Sequence, residues 1–283
     1  MDHPLNRILA VPNWSFFDPE LCQKARDAIA ELGLKGHYFK GDFDHERTVT
    51  AFSGNQDTVI EGMDRLCEVI LPRTDLKFQQ GVHPRIGALD VVPFVLLDGS
   101  EIDLVKASAT WAESFSLRYR VPTHLYEKAA RAGAEYRLPF LRGQMGEIEK
   151  LPDFGSLEHE QWGTTIVGVR NFLLAANLNI AQNNIQSVKE VARELRFQRE
   201  RGNAALAGVR ALGFELRSRD ITQLSLNFTD PDFTSFDAVF EIAEKLLSEH
   251  GLFVTETELI GVIRSQDVLG ATHLTLDPSQ VVH

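Results

Sequence analysis

Residues 83–94 are His83-Pro84-Arg85-Ile86-Gly87-Ala88-Leu89-Asp90-Val91-Val92-Pro93-Phe94, a polar loop that runs directly into a largely apolar segment. This pattern predicts a buried strand whose entrance carries an imidazole and a guanidinium. A histidine can transfer protons near neutral pH, and a planar guanidinium can hold a carboxylate. On residue types alone a solvated turn is the commoner interpretation, because most polar loop residues take no part in catalysis.

The composition is that of an ordinary globular chain of 283 residues, which suits one large domain or two of average size. Its formal net charge of −11 disfavours nucleic-acid binding, because phosphate backbones would be repelled. Cys22 and Cys67 fall on apolar helix faces and are predicted to be buried thiols. No apolar run approaches about 20 residues and no secretory signal is visible, so we expect no membrane association and a cytoplasmic location.

The first half of the chain predicts the order β-α-β-β-α-β. Asp18 followed by Pro19 is typical of a helix start, and Gly33 of a helix end. The predicted strands are residues 7–12, 36–42, 48–52 and 88–97, and the predicted helices are residues 19–32 and 59–70. Ser100 can cap a further helix that reaches residue 117, a short strand follows at 123–126, and residues 131–162 are predicted to be largely irregular.

The second half repeats this order without an evident sequence repeat. The predicted strands are residues 172–180, 209–217, 221–228 and 253–259, and the predicted helices are residues 185–195 and 236–247. We therefore predict an α/β (α+β) fold of two ferredoxin-like subdomains with a ligand cleft between them. The predicted subdomains are residues 1–181 and 182–283.

Several common chemical signatures are missing from the sequence. There is no Gly-x-Gly-x-x-Gly, no phosphate-binding Gly-Lys-Ser/Thr and no Gly-x-Ser-x-Gly motif. The spacing of His37 and His45 fits no standard zinc pattern, so no metal is expected. These absences direct attention to the polar clusters at the strand ends, such as residues 42–47 and 83–85.

Several blocks of sequence together resemble a known family over most of the chain, from Val11 to about Val262. The most specific block is residues 81–94. The others are Val11-Pro12-Asn13, Asp44-His45-x-Arg47-Thr48-Val49, Val121-Pro122-x-His124-Leu125-Tyr126, Trp162-Gly163-x-Thr165-x-x-Gly168-x-Arg170-x-Phe172-Leu173 and Gln223-x-Ser225-x-Asn227. With these motifs the chain resembles the glutamate formiminotransferases, which also form the N-terminal part of formiminotransferase–cyclodeaminase.

The resemblance implies an activity and a set of site residues. Members transfer the formimino group of N-formimino-L-glutamate to N5 of tetrahydrofolate, the co-substrate, in histidine degradation, and the family suggests a homodimer. The acid–base role maps to His83, because the reaction needs a group with a pKa near 7 and histidine has one. The acidic partner of this histidine maps to Asp42. Because donor and folate carry carboxylates, the expected substrate-binding residues are Asn13, Arg47, Arg85, Arg170 and Asn179.

The chain departs from the family pattern at a few positions near this block. Phe16-Phe17 replace a Glu-Gly pair, Gln79-Gln80 replace His-Lys, and Glu46 stands where the family has Asn. These changes leave two alternatives open beside formimino transfer: a folate-dependent formyl or other one-carbon transferase, and a folate-binding homologue without turnover. The alternatives differ in whether the altered residues lie at the donor site.

Overall fold

The computed structural model describes residues 6–131, 138–141, 151–156 and 159–283. The chain divides into two compact units, Met1–Arg170 and Asn171–His283. Much of the segment predicted to be irregular, residues 131–162, lies outside the described residues.

The described part of the first unit is a mixed sheet with three long helices packed on one face. A short helix lies on the other face, where Leu141 packs with Val91 and Ile166. Its strands and helices, in chain order, are β1 (Arg7–Ala10), β2 (Asn13–Trp14), α1 (Pro19–Glu31), β3 (Lys35–Asp42), β4 (Arg47–Asn55), α2 (Gln56–Ile70), β5 (Leu89–Asp98), α3 (Glu101–Tyr119), β6 (Thr123–Glu127), α4 (Leu138–Leu141) and β7 (Thr165–Val169).

The strand order of this sheet is that of a ferredoxin-like unit with an extension. Strands β1 and β2 both lie between β4 and β5, and β3 pairs with the outer side of β4. These pairs are antiparallel, whereas β7 joins β5 in parallel and β6 joins β7 in parallel. The predicted β-α-β-β-α-β order is therefore confirmed, and two parallel strands extend it.

Local sequence signals fix the helices on this sheet. The Asp18 carboxylate caps α1 by accepting the N–H groups of Glu20 and Leu21, and Ser100 caps α3 by accepting the N–H of Asp103. One continuous core joins these helices to the sheet; its largest fully buried members include Trp14, Phe52, Phe94 and Phe115. The opposite face carries no long helix among the described residues, which leaves room there for polar side chains.

The second unit is a four-stranded antiparallel sheet in the order β11-β8-β10-β9. Its core packs two helices against one face of the sheet. The elements are β8 (Leu174–Ile180), α5 (Ile185–Glu200), β9 (Val209–Leu216), β10 (Ile221–Phe228), α6 (Phe236–Glu249), β11 (Val254–Ile260), β12 (Ile263–Arg264) and β13 (Val281–Val282). The second ferredoxin-like unit is thus also present.

Two features differ from the sequence prediction. The division falls at Arg170/Asn171 rather than at 181/182, because β8 lies between β10 and β11 and is the first strand of the second unit. Helix α5 runs on to Glu200, beyond the predicted end at residue 195. Its last turns are held by Arg196 and Arg199, which donate to the carbonyls of Ala211 and Val209, an interaction that periodicity does not reveal.

Candidate active site

The site predicted around His83 lies where the chain enters β5. The register between β2 and β5 shifts here: Asn13 is opposite Val91, but Trp14 is opposite Leu89. Asp90 is therefore the extra residue of a β-bulge, a feature that re-aims side chains at many functional sites. Just upstream, the chain approaches its neighbours so closely that a Cβ atom on Gly87 would lie 1.9 Å from the Thr164 carbonyl oxygen.

A buried ion pair forms the centre of the site. Arg47 Nη1 donates to Asp90 Oδ2 at 2.9 Å; the Asp90 side chain is fully buried and that of Arg47 is 10% exposed. The Asn13 Oδ1 atom accepts Arg47 Nε at 3.2 Å and Nη2 at 3.0 Å, and Asp90 Oδ1 accepts the N–H of Ile86 at 2.9 Å. A buried charge pair persists only when its remaining donors and acceptors are satisfied, so this network fixes the start of β5 rigidly.

His83 lies directly against this ion pair. Its Nδ1 atom is 3.4 Å from Arg47 Nη1 and 2.8 Å from the carbonyl oxygen of Pro84. Because a carbonyl oxygen only accepts, the shorter contact assigns the neutral-ring proton to Nδ1. The lone pair of the ring then lies on Nε2, so Nε2 is the atom that can take a proton from a bound substrate.

The turn between β3 and β4 contacts His83 through His45. The His45 ring is buried and meets the His83 ring edge to face, with centroids 5.9 Å apart. Asp42 Oδ1 accepts the backbone N–H of His45 at 2.8 Å, so this carboxylate fixes the turn that carries His45. The predicted role of Asp42 as the acidic partner of His83 stays a prediction. Another carboxylate, that of Asp90, is linked to His83 through Arg47, which contacts both side chains.

Arg85 joins the loop before β5 to the same turn. It donates to Gln79 Oε1 at 3.0 Å, to the carbonyl of His45 at 2.8 Å and to the carbonyl of His83 at 3.3 Å. Its Nη1 atom is 3.7 Å from Glu46 Oε2. Burial lowers the pKa of the Arg85 guanidinium below its ordinary value, and the nearby carboxylates of Glu46 and Asp90 offset this only in part. This arginine organises the loop, and Gln79, one of the residues that depart from the family, is in direct contact with it.

Of the seven predicted site residues, four form one cluster, Asp42 holds the neighbouring turn, and two lie elsewhere. The four are Asn13, Arg47, His83 and Arg85. Arg170 follows β7, and its backbone N–H donates to the carbonyl of Phe94. Phe94 is four residues along β5 from Asp90, roughly 13 Å at about 3.3 Å per residue.

Asn179 belongs to the second unit and lies within its sheet. Its side chain is buried; the amide oxygen accepts Gln223 Nε2 at 2.9 Å, and the amide nitrogen donates to Glu256 Oε2 at 3.0 Å. Its predicted substrate contact stays a prediction, as does that of Arg170.

Asp90 is the site residue that the sequence interpretation missed. It lies inside the quoted segment, where it looks like a polar interruption of a buried strand. Burying a carboxylate is costly unless it is paired, so an aspartate at that point was itself a signal of a nearby cation. Its partner comes from a different strand, and local periodicity gives no information about which arginine that is.

The two phenylalanines that replace a Glu-Gly pair have different surroundings. Phe16 is buried in the core of the first unit, and its carbonyl accepts the hydroxyl of Thr48 at 2.8 Å. Phe17 is 39% exposed and packs edge to face on Phe43 at 5.6 Å between centroids. It also lines a cavity of about 230 Å³ with Cys22 and other residues of α1 and β3.

Neither a metal centre nor a membrane segment is evident in the described ranges. Among those residues no group of three or more His, Cys, Asp or Glu side chains is arranged to hold a metal ion. No described helix is long and apolar enough to cross a membrane.

Comparison with known proteins agrees with the division of the chain into two units. Residues 7–170 match the family profile described as the formiminotransferase domain, N-terminal subdomain, and residues 175–282 match that of the formiminotransferase domain. A glutamate formimidoyltransferase of Streptococcus pyogenes serotype M1 is 30% identical, over 79% of this chain and 77% of its own. One of Thermoplasma acidophilum is 27% identical, over 94% and 90%.

Longer relatives match over part of their length. The formimidoyltransferase-cyclodeaminase of Sus scrofa is 34% identical over 80% of this chain and 44% of its own length. The chain therefore spans about half the length of these relatives.

Proposed function

Because the chain belongs to the formiminotransferase family, we propose that it transfers the formimino group of N-formimino-L-glutamate to N5 of tetrahydrofolate. The observation that carries this proposal is the hydrogen-bonded cluster of Asn13, Arg47, Asp90 and His83 at the entrance to β5. The cluster holds one imidazole at a fixed position beside an arginine whose charge is balanced by Asp90. A single, well-placed acid–base group is what this reaction requires.

The proposed chemistry uses His83 twice. As N5 attacks the formimino carbon, a C–N5 bond forms and N5 loses its proton to His83 Nε2. The resulting tetrahedral intermediate then breaks its bond to the glutamate nitrogen, which receives that proton from the imidazolium. One histidine can serve both steps because its ordinary pKa lies near neutrality. The Nδ1–H bond to the Pro84 carbonyl keeps the ring in the orientation that both steps need.

The remaining residues of the cluster position this imidazole and screen its charge. Asp90 offsets the charge of Arg47, so that the cationic form of His83 does not face an uncompensated guanidinium. Asn13 holds the same guanidinium from the other side through Nε and Nη2. Arg47 is in this way fixed at three of its nitrogens before any substrate binds, which is the preorganisation that catalysis by positioning requires.

The wider biochemical setting is part of the proposal. Tetrahydrofolate acts as co-substrate, the reaction belongs to histidine degradation, and the chain works as a cytoplasmic homodimer without nucleic-acid or membrane partners. The net charge of −11 supports the exclusion of nucleic acid. Sedimentation of the purified protein would test the dimer.

A direct assay tests the proposed activity. Purified protein is incubated with tetrahydrofolate and N-formimino-L-glutamate, and formation of 5-formiminotetrahydrofolate is followed by its absorbance. We expect turnover that depends on both substrates. Absence of product at any donor concentration, in a protein that binds tetrahydrofolate, would contradict the proposal and favour the folate-binding homologue.

A second donor is supported by the charges around Arg85. Glu46 lies 3.7 Å from this guanidinium, so part of the positive charge expected for an anionic donor is already compensated. Gln79 in addition occupies one of its N–H donors. The alternative function is transfer of a formyl or other one-carbon group. The same protein is assayed in a parallel reaction with 5-formyltetrahydrofolate and glutamate, and faster turnover there than with formiminoglutamate would support the alternative.

A further inference from the structure

The loop before β5 forms a small anion-binding site that the protein fills with its own carboxylate. The Glu46 Oε2 atom accepts the backbone N–H of Gly81 at 2.6 Å and also that of Gln80. The same oxygen is 3.7 Å from Arg85 Nη1. Two successive N–H groups beside a guanidinium are a concave site of the kind that binds carboxylates and phosphates.

The surroundings show that this site is shaped by the backbone. A Cβ atom on Gly81 would lie 2.2 Å from the His45 carbonyl oxygen and 2.4 Å from Arg85 Nη2, so only glycine fits there. Arg85 is held by three other chain acceptors: Nε donates to the His83 carbonyl, Nη1 to Gln79 Oε1 and Nη2 to the His45 carbonyl. These bonds fix the position of the second N–H of Nη1. The site lies next to His83, because the His83 carbonyl is one of those acceptors.

The occupant itself is held in an unfavourable backbone conformation. Glu46 has φ = +43°, in the left-handed region that glycine, asparagine and aspartate adopt far more readily than glutamate. This conformation nevertheless directs its side chain onto the Gln80 and Gly81 amides. The Glu46 side chain remains 28% exposed, so the filled site is open to solvent and to a competing anion.

We propose that Glu46 is a specificity-determining residue: its carboxylate occupies the anion site beside His83 and disfavours donors that present a carboxylate there. A dicarboxylate such as N-formimino-L-glutamate has to displace Glu46, whereas a donor with an uncharged group at that point does not. The inference deepens the proposed function, on which its kinetic part rests. Its binding part stands on the geometry alone.

The binding test uses glutarate, a dicarboxylate without a formimino group, titrated calorimetrically at low ionic strength. In Glu46→Gln the amide oxygen still accepts the two backbone N–H groups, so the loop is kept while the charge is removed. We expect this variant to bind glutarate about tenfold more tightly than the wild type, because one charge repulsion at close range is lost. Glu46→Asn, which suits a positive φ and is too short to fill the site, should show at least the same gain.

A matched control removes the same charge elsewhere. Glu68 on α2 pairs with Arg65 at 3.1 Å and Arg118 at 3.3 Å. Glu68→Gln should bind glutarate as the wild type does. Glutarate affinity that is unchanged in both Glu46 variants, or that rises equally in Glu68→Gln, would overturn the proposal.

A kinetic comparison separates this inference from the proposed function. In the wild type we expect a lower KM for N-formimino-L-glutamine, which lacks the side-chain charge, than for N-formimino-L-glutamate. In Glu46→Gln the ratio of the two KM values should shift by about tenfold toward formiminoglutamate, with little change in kcat. If no formimino transfer occurs but Glu46→Gln gains glutarate affinity, the proposed function fails and the role of Glu46 stands. If transfer occurs and neither glutarate affinity nor the KM ratio changes, the role of Glu46 fails alone.

Discussion

The two units share the β-α-β-β-α-β order but differ in the polar side chains that lie within their sheets. In the first, a charged pair, Arg47 and Asp90, is buried where β4, β2 and β5 meet, with an imidazole beside it. In the second, the amides of Asn179 and Gln223 and the carboxylate of Glu256 form a row across β10, β8 and β11. The same topology therefore supports two different polar networks.

The difference indicates which unit can carry proton transfer. The second row contains two amides and a carboxylate but no imidazole, whereas the first unit places His83 beside its charged pair. Histidine is the residue type that ordinarily exchanges protons near neutral pH. The amide row gives fixed donors and acceptors, which suits orientation of neutral groups. The charged cluster gives a positioned base, so we assign the reacting centre to the first unit.

Removal of Asp90 should produce the largest change in stability. Asp90→Ala leaves the guanidinium of Arg47 buried without its carboxylate and leaves the Ile86 N–H without its acceptor. We expect the free energy of unfolding in urea to fall by about 3–5 kcal/mol, as for other broken buried pairs. Asp90→Asn, which keeps the shape and one acceptor oxygen, should lose less.

An exposed carboxylate serves as the control for that measurement. Asp103→Ala on α3 should change the unfolding free energy by no more than about 0.5 kcal/mol. If Asp90→Ala is as mild as this control, the charged network does not hold the entrance to β5.

Removal of Asn179 should have a smaller effect, in the second unit. Asn179→Ala deletes the acceptor of Gln223 and the donor to Glu256, both buried or partly buried. A cost of about 1–3 kcal/mol in urea is expected from such hydrogen bonds, and the transfer rate at saturating substrates should stay within about threefold of the wild type. Asn183→Ala, an exposed amide that donates to Asp220, is the matched control and should change stability little.

A larger kinetic effect of Asn179→Ala would contradict the proposed difference in role between the two units. If Asn179→Ala abolished transfer while remaining folded, the amide row would belong to the reacting centre. The assignment of chemistry to the first unit alone would then be wrong.

The sequence predicted most of the fold because its signals are local. Apolar periodicity and the caps at Asp18 and Ser100 define α1 and α3 without reference to the rest of the chain. The β-α-β-β-α-β order followed from these elements in both halves. The early boundary at Arg170 did not, because whether β8 pairs with strands before it or after it in sequence is a non-local fact.

The site was predictable only in part, because several of its contacts are also non-local. His83, Arg85, Arg47 and Asn13 were proposed through their family motifs, and the structure brings them together. The bulge that turns Asp90 toward Arg47 depends on the register between β2 and β5, which are far apart in sequence. The hydrogen bonds between the Glu46 carboxylate and the backbone at residues 80–81 likewise join residues far apart in sequence, so no local pattern predicts them.

The role of His83 is the central claim, and the transfer rate of His83→Ala at saturating substrates tests it most directly. His250→Ala, an exposed histidine at the end of α6, is the control. We predict that His83→Ala loses at least about 100-fold in rate while its unfolding midpoint stays near that of the wild type, and that the control retains full activity. A rate for His83→Ala within a few-fold of the wild type would contradict the assignment of proton transfer to this residue.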